Sequence, residues 1–365
     1  MRRLSRWAIR PPDVTALPPL PASPLRLRLD GDALGANWRA LDTLSGAARA
    51  GAAVKADAYG LGAGQVVPVL AAAGCRDWFV AHWREVPDVI AHVPAAAIAV
   101  LHGPLTDADV AFAQATGVRP VLNSLAQARR WLAGGGGPCH VMVDTGISRL
   151  GLAMAELGDP LLGELDIDLC LSHLASADED VPQNAQQLGR FATVRTAISA
   201  RRYSLANSAG IALGADYHAD LTRPGIALYG GVVRRELAGL VQRVAWPEAA
   251  VLQLRDLAPG DAVGYNAIFV APRAMRLAVV ALGYADGYLR CWSNRGGFRH
   301  GPAHLPVVGR VSMDLTAIDV SAAPDLREGD WLTLDYDLPV AAAQSGLSQY
   351  ELLTLLHRRF ARNGG

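Results

Sequence analysis

Between about residue 50 and residue 225, short apolar runs alternate with Ala/Leu/Arg-rich stretches of helical period, and that alternation leaves few folds open to the chain. The predicted strands are Ala52–Lys55, Trp78–Ala81, Ala97–Leu101, Arg119–Leu122, His140–Asp144, Asp168–Ser172, Tyr203–Ala206 and His218–Arg223. Eight strands, each separated from the next by a helix-like segment, match the count of a closed parallel barrel. After residue 245 the character changes. Ala249–Leu254, Leu277–Ala281, Leu305–Val311, Thr316–Val320 and Trp331–Leu334 are short and β-like. Turn signals at Pro259-Gly260-Asp261, Gly296-Gly297 and Glu328-Gly329-Asp330 separate them. A helical stretch, Ser348–Arg359, follows. The expected fold is α/β: a (β/α)8 barrel over residues 25–245 with a C-terminal β-rich domain over 246–365. Leu25–Asp30 reads as one more strand that either domain can own.

Composition excludes several classes of function. The 365 residues allow two domains, and 51% of them are hydrophobic, so the core is large. Formal net charge is zero, which leaves no basic excess for nucleic acid. No apolar run is long enough to span a bilayer, so no membrane partner is expected. Residues 1–24 carry several arginines and many prolines without an apolar h-region; they read as a disordered or extended leader rather than a secretory signal. Cys75, Cys139, Cys170 and Cys291 are scattered, with no metal-like cluster. They read as reduced thiols of a cytoplasmic protein, and no metal site is expected. The run Gly134–Gly137 lacks the Lys-Ser/Thr of a phosphate loop and reads as a flexible connection.

The chemistry gathers where a barrel places it, at the carboxyl ends of the strands. Lys55 ends the first strand, Asp144 the fifth, His173 the sixth and Arg223 the eighth; Asn207 and Ser208 follow the seventh. Lys55 follows the apolar run Ala52-Ala53-Val54, where lost hydration disfavours its charged form. A neutral amine there is a nucleophile able to form an imine with an aldehyde. A strand-end lysine more often points to solvent, and the surrounding residues decide against that reading. Tyr59 and Gly60 follow in an expected tight loop. Ser208 offers a hydroxyl, and Gly225 and Ile226 offer backbone N–H groups at the start of a short segment, a cup for phosphate. An amine plus a phosphate cup in one barrel mouth suggests pyridoxal 5'-phosphate.

Two further residues suit that cofactor. His173 can stack on a pyridine face or serve as a hydrogen-bonded core histidine, and the sequence leaves both open. Arg223 can donate a hydrogen bond to a ring nitrogen but cannot give up its proton. A ring left unprotonated is a weaker electron sink, which suits a reaction that removes and returns one proton. The competing role for Arg223 is a surface ion pair.

These segments resemble the alanine racemases from about residue 25 onward. Val54-Lys55-Ala56-Asp57-Ala58-Tyr59-Gly60 resembles the family's cofactor-lysine motif, and Asp144-Thr145-Gly146-Ile147-Ser148-Arg149-Leu150-Gly151 its substrate-arginine loop. Arg223-Pro224-Gly225-Ile226-Ala227-Leu228-Tyr229-Gly230 resembles its ring-nitrogen and phosphate motif. Val263-Gly264-Tyr265-Asn266 resembles the segment of the second base, and Gly283-Tyr284-Ala285-Asp286-Gly287 and Ser312-Met313-Asp314 two further motifs. The resemblance implies a homodimer in which the β domain of one subunit completes the barrel mouth of the other, so that Tyr265 works in trans. It implies that Tyr59, Ser208 and Tyr350 bind phosphate, that Arg149 and the Met313 backbone hold the carboxylate of alanine, with Asp314 beside them, and that Tyr284 narrows the entrance. The implied activity interconverts L- and D-alanine and supplies D-alanine for peptidoglycan. Two bases fit the chemistry, because one cannot easily reach both faces of a planar intermediate. A tyrosine of ordinary pKa, ~10, is a poor base at neutral pH, so cationic neighbours are expected around Tyr265.

The sequence also departs from the family. Many members carry a lysine, modified by carbon dioxide, two residues before the loop aspartate; here that residue is Met142. Asp57 stands where asparagine is also common, and Ala81-His82-Trp83-Arg84-Glu85 is not the expected continuation of the second strand. Three other readings compete. A non-catalytic pyridoxal-phosphate carrier on this barrel lacks a β domain, so Tyr265, Tyr284 and Met313-Asp314 argue against it. Barrel-type decarboxylases of basic amino acids pair the ring nitrogen with a carboxylate, so Arg223 argues against them. A racemase of serine or of a broader amino-acid set stays open.

Overall fold

The computed structural model describes residues 18–356 and 359–364. Most of the expected leader, residues 1–17, lies outside the described residues; 18–24 contain no helix or strand.

The barrel forms from strands whose side chains are buried on both faces, which is why they read as unbroken apolar runs. Ala52–Ala53, Trp78–Val80, Ile98–Val100, Arg119–Leu122, Pro138–Met142, Asp166–Leu171 and Arg202–Ser204 pair in parallel, each with the next in sequence. Closure depends on a bend in the first strand. Arg49–Ala50 pair with Leu221–Thr222 of the eighth strand, and Ala52–Ala53 pair with Trp78–Phe79 of the second. Gly51 sits at the bend, and a Cβ there would lie 2.9 Å from the Asp77 carbonyl oxygen. The seventh and eighth strands join through an Asn207–Arg223 bridge and the Arg223 N–H donated to the Ala206 carbonyl at 2.9 Å. All eight expected strands are present, shifted by a few residues at their ends.

Local chemistry starts the outer helices. Asp30 caps Gly31–Leu44 by accepting the Ala33 N–H, and Thr106 and Asp109 form a reciprocal cap on Asp107–Thr116. Each such cap contributes about 1 kcal/mol. The first helix buries Leu34, Trp38 and Leu41.

Beyond the barrel the sheet becomes mostly antiparallel around the long strand Ala245–Leu257. Met275–Val280, Trp331–Leu334 and Leu25–Leu29 all pair with it, and Thr316–Asp319 extends it. Leu25–Leu29 therefore lies in the β-rich sheet: from there the chain builds the barrel and returns to the same sheet. Ala361–Gly364 adds an unexpected parallel strand on Leu25–Leu29. The expected helix Ser348–Arg359 spans Gln349–Thr354, and residues 357–358 lie outside the described ones. The hairpin Ala262–Val263/Phe269–Val270 projects from this part over its own small cluster of Val263, Ala271, Met275, Leu277 and Val308. No described helix is long and apolar enough to cross a membrane.

Candidate active site

The chain has one lysine among its 365 residues, and the barrel puts it at the end of the first strand. The segment after it is no ordinary loop. Ala56, Asp57, Ala58 and Tyr59 all have φ between 52° and 56°, a full left-handed turn that ends at Gly60. L-residues resist this conformation by roughly 1–2 kcal/mol each, so four in succession store on the order of 4–8 kcal/mol. Hydrogen bonds hold the turn: Ala58 N–H to Val54 O, Gly60 N–H to Ala56 O, and Ala63 N–H to the Asp57 carboxylate. Gly60 packs so closely on the helix Gln349–Thr354 that a Cβ would lie 2.6 Å from the Leu353 carbonyl oxygen. The amine of Lys55 is pushed below the ordinary lysine value by burial first, then by Arg149 and Arg223, against an opposing pull from Glu85.

The turn aims Tyr59 at the expected phosphate cup. Its ring packs 4.9 Å from that of Tyr229 and 6.3 Å from that of Tyr350, centroid to centroid. Burial raises the pKa of Tyr59, and burial with Asp178 raises that of Tyr350 to about 12, so both remain hydroxyl donors. Ser208 Oγ accepts the N–H groups of Gly225 (2.9 Å) and Ala227 (3.3 Å), which leaves the Ser208 hydroxyl hydrogen to donate. The Gly225 N–H is thus already engaged. Gly225 matters through its missing side chain, because a Cβ there would lie 2.2 Å from Tyr59 Oη. Ile226 opens the short 3-10 turn Ile226–Tyr229. Asn207 caps the short helix Ser208–Ala212 by accepting the Gly210 N–H, so its amide braces the cup.

Across the mouth lies a cationic wall. Arg223 is 6% exposed, donates from Nη2 to the Ser172 carbonyl and from Nη1 to Ser204 Oγ, and has no carboxylate partner among the described residues. Burial lowers its pKa to about 10. His173 is held neutral, its pKa lowered to about 3 by burial first and then by Arg223, Arg149 and Lys55. Arg149 is placed by its backbone: the Asp144 carboxylate accepts the N–H groups of Gly146, Ile147 and Arg149. Burial pushes the Asp144 pKa up, but the N–H groups of Gly146, Ser148, Arg149 and Ile147 outweigh it and hold the carboxylate ionised. The Arg149 guanidinium makes no hydrogen bond or ion pair among the described residues. Met142 is buried behind the loop and gives it no charge.

The remaining expected residues form a separate group in the β-rich part. Tyr265, Tyr284 and Met313 line a cavity of about 260 Å³ together with Asn266, Arg290 and Arg310. None of Lys55, Arg149, His173, Ser208 or Arg223 lines it. The Arg290 guanidinium sits 5.2 Å over the Tyr284 ring. Tyr265 is 64% exposed and Met313 53%. The loops behind them interlock: Tyr284 N–H donates to Ser312 O, and Ala285 N–H to Met313 O. Arg359 ties the loops further by donating to Asp314 at 2.5 Å and Asp286 at 3.2 Å. The expected site residues therefore fall into two separate groups within one chain. Among the described residues no group of three or more His, Cys, Asp or Glu side chains is arranged to hold a metal ion.

Residues 29–232 match the family model "Alanine racemase, N-terminal domain", and residues 244–363 match "Alanine racemase, C-terminal domain". The chain belongs to the alanine racemase family. It is accordingly an amino-acid racemase, an isomerase. It is 42% identical to the alanine racemase of Acidiphilium cryptum over 349 residues, 92% of this chain and 97% of that protein. It is 42% identical to the biosynthetic alanine racemase of Agrobacterium fabrum over 373 residues, 93% of each. Its fold matches the crystal structure of the Bartonella henselae alanine racemase with covalently bound pyridoxal phosphate at a TM-score of 0.86 and 35% identity, over 94% of this chain and all of that one. The biosynthetic alanine racemase of Pseudomonas aeruginosa matches at 0.84 and 31% identity, over the same shares.

Within this racemase some functional contacts escaped the sequence reading. Tyr229 Oη donates to the Ala53 carbonyl at 2.7 Å and backs Tyr59; its motif was legible, but this role was not. Arg310, Arg290 and Arg359 carried no signal beyond being arginines in an arginine-rich chain. Glu85 was visible only as part of a segment that departs from the family.

Proposed function

We propose that this racemase interconverts L- and D-alanine with pyridoxal 5'-phosphate bound at Lys55, and that each active site is completed by Tyr265 of a second copy of the chain. The observation that carries this reading is the single lysine, half-buried and shifted toward its neutral form, beside a buried guanidinium with no carboxylate partner. The residues fit the group. Tyr59, Tyr350 and the Ser208 hydroxyl are donors for its phosphate, with the Ile226 backbone at the same cup. The space over Gly225 admits the Tyr59 phenol. Arg223 can donate to the ring nitrogen and cannot protonate it; neutral His173 can stack against the ring. When bound, the cofactor supplies a ring that takes up electron density as the Cα proton leaves.

The chain's own residues do the rest. Arg149 holds the substrate carboxylate through a charged two-point contact, helped by the Met313 backbone of the partner. Neutral Lys55 takes or returns the proton on one face of Cα. The Tyr265 phenol of the partner does so on the other, in the cavity that it lines with Arg290 and Arg310. Tyr284 narrows the entrance, and Asp314 stands beside Met313 on the substrate side. The exposure of Tyr265 and Met313, together with exposed Ile268, Val270 and Leu315, supports a homodimer, since exposed apolar clusters mark contact surfaces. We assign the barrel to about residues 25–245, with strand Leu25–Leu29 paired into the second sheet, and the completing domain to 246–365. A cytoplasmic location and supply of D-alanine for peptidoglycan follow from the same reading.

Mixing two inactive variants tests it. Lys55→Ala and Tyr265→Phe should each lack racemase activity as homodimers. After joint unfolding and refolding, activity should return to about one quarter of the wild-type number of sites, the statistical expectation for random pairing in a twofold dimer. Borohydride reduction of the wild type with pyridoxal phosphate should add one reduced cofactor, its mass less water plus two hydrogens, to the Lys55 peptide. No recovery on mixing, or no adduct, would overturn the reading.

A further inference from the structure

Nothing in the proposed reaction uses the segment Ala81-His82-Trp83-Arg84-Glu85. In the fold it follows the second barrel strand, and Glu85 turns back beneath the first. One carboxylate oxygen accepts the Ala56 N–H at 2.8 Å, and the other accepts the Ala81 N–H at 2.6 Å. Ala56 directly follows Lys55 and opens the left-handed turn. A single carboxylate therefore bridges the rims of two adjacent strands at the peptide next to the amine. The Glu85 side chain is only 16% exposed. Its loop is fixed from behind by Trp83, whose Nε1 donates to the Gly103 carbonyl at 3.1 Å and whose ring meets Phe112 edge-on.

We propose that Glu85 is a positioning residue for Lys55: its carboxylate holds the strained turn at Ala56 and supplies the counter-charge against which the lysine amine gains and loses its proton. Two separate observations meet here, the bridging hydrogen bonds and the charges around the amine. Burial, Arg149 after the fifth strand and Arg223 at the eighth all favour the neutral amine. His173 at the sixth strand is neutral, and His102 after the third is also shifted toward its neutral form. Glu85 is the acid that acts on Lys55 in the opposite direction. A base that takes a proton from one enantiomer must return one to the other, so both charge states of the amine need support. His82, its Nε2 3.8 Å from Glu85 Oε1, lies on the solvent side of this pair.

The inference rests on Lys55 as the working amine, and the single lysine makes the test clean. The full-length chain, stripped of cofactor, is treated with an amine-acylating reagent across neutral to alkaline pH, and the Lys55 peptide is followed by mass spectrometry. Glu85→Gln removes the charge and keeps one acceptor oxygen; Glu85→Ala removes both acceptors. Both variants should reach half-maximal labelling at lower pH than wild type, with labelling severalfold faster at neutral pH, because the charge that favours the protonated amine is gone. Hydrogen exchange at the Ala56 amide should accelerate at least ~10-fold in Glu85→Ala and less in Glu85→Gln, because an unpaired amide opens more readily. In the loaded enzyme Lys55 holds the cofactor until substrate binds, so the pH profile of kcat, which reports the substrate-bound state, should shift down the pH scale with the labelling midpoint, which loss of packing alone would not do. If Glu85→Ala does not fold, the Glu85→Gln labelling curve decides. A folded Glu85→Gln protein with an unmoved labelling midpoint overturns the proposal. Failure of the wild type to form the reducible cofactor adduct would instead overturn the assignment of Lys55 to the cofactor.

Discussion

The phenol oxygen of Tyr59 lies so close over the backbone of Gly225 that a Cβ at Gly225 would sit 2.2 Å from it. Gly225 has a negative φ, so its need for glycine is one of space and not of backbone freedom. Gly225→Ala must therefore push the phenol out of the phosphate cup or force the loop apart. Overpacking of this kind costs about 1–3 kcal/mol, and a loss of ~1.4 kcal/mol in cofactor binding is tenfold in Kd. Titration of the variant with pyridoxal phosphate, followed by visible absorbance, should show at least that loss while circular dichroism stays unchanged. Wild-type affinity in the variant would remove Tyr59 from the cup.

Arg359 joins the two loops that carry Tyr284 and Met313 by bridging Asp286 and Asp314. Asp286 is 1% exposed, and its remaining partner is the Gly283 N–H. Burial raises the Asp286 pKa and Arg359 acts against that shift, so without Arg359 the buried carboxylate loses its charge partner and the loops lose their tie. Arg359→Ala should leave the barrel and cofactor uptake intact. Its KM for alanine should rise about 10- to 100-fold, the scale on which small misplacements of binding groups act. A KM equal to wild type would make the bridge a surface ornament.

The barrel was legible because its strands are buried on both faces; Trp78-Phe79-Val80 and Ile98-Ala99-Val100 admit no other reading of comparable weight. Other features carried no local signal. Ala56-Asp57-Ala58-Tyr59 contains no glycine, yet it folds left-handed, because long-range bonds to Glu85 and packing on Leu353 impose the turn. His218–Arg223 shrinks to Leu221–Thr222, since Ala215–Tyr217 form a 3-10 turn and Ala219 takes a φ of 54°. Ala361–Gly364 has no β-forming composition and is a strand only through pairing with the edge of Leu25–Leu29. The site motifs were visible as motifs. That their residues gather into two separate groups within one chain is a consequence of topology, which spacing alone does not show.

The left-handed turn predicts an unusual stabilising substitution. Ala56 is exposed and has a φ of 54°. Glycine there relieves a Cβ conflict of roughly 1–2 kcal/mol and gives back about 0.5–1 kcal/mol in unfolded-state entropy. Ala56→Gly should raise stability by about 0.5–1 kcal/mol, read as a higher urea midpoint with an unchanged m-value. Turnover should fall at the same time, because the turn that aims Lys55 is looser. A variant that is less stable than wild type would mean that the turn carries no strain at Ala56.

Acid should unfold this protein earlier than its carboxylates alone require. His140, in the barrel interior, is 5% exposed, with Nδ1 4.0 Å from Asp168. Asp168 is already held by Arg119 at 2.6 Å and Arg202 at 3.0 Å. Burial lowers the His140 pKa to about 3 from the ordinary 6.5; Asp168 opposes the shift, while Arg119 and Arg202 add to it. The folded state thus keeps His140 neutral, whereas the unfolded chain binds a proton below pH 6.5. The stabilisation is complete above that value and drains away as pH falls toward 3, by about 1.4 kcal/mol per pH unit for each such group. Without cofactor His173 behaves alike, its pKa also lowered to about 3, so the two together cost up to roughly 4 kcal/mol by pH ~5. Asp168, whose pKa is lowered against its own burial by Arg202, His140 and Arg119, stabilises the fold above its ordinary 3.8 and loses that contribution chiefly below it, outside this window. Urea titrations between neutral pH and pH ~5 should therefore give a steep loss of unfolding free energy, and His140→Gln should remove about half of that slope whatever its effect on stability at neutral pH. Parallel curves for variant and wild type would show that His140 takes up its proton without unfolding the barrel.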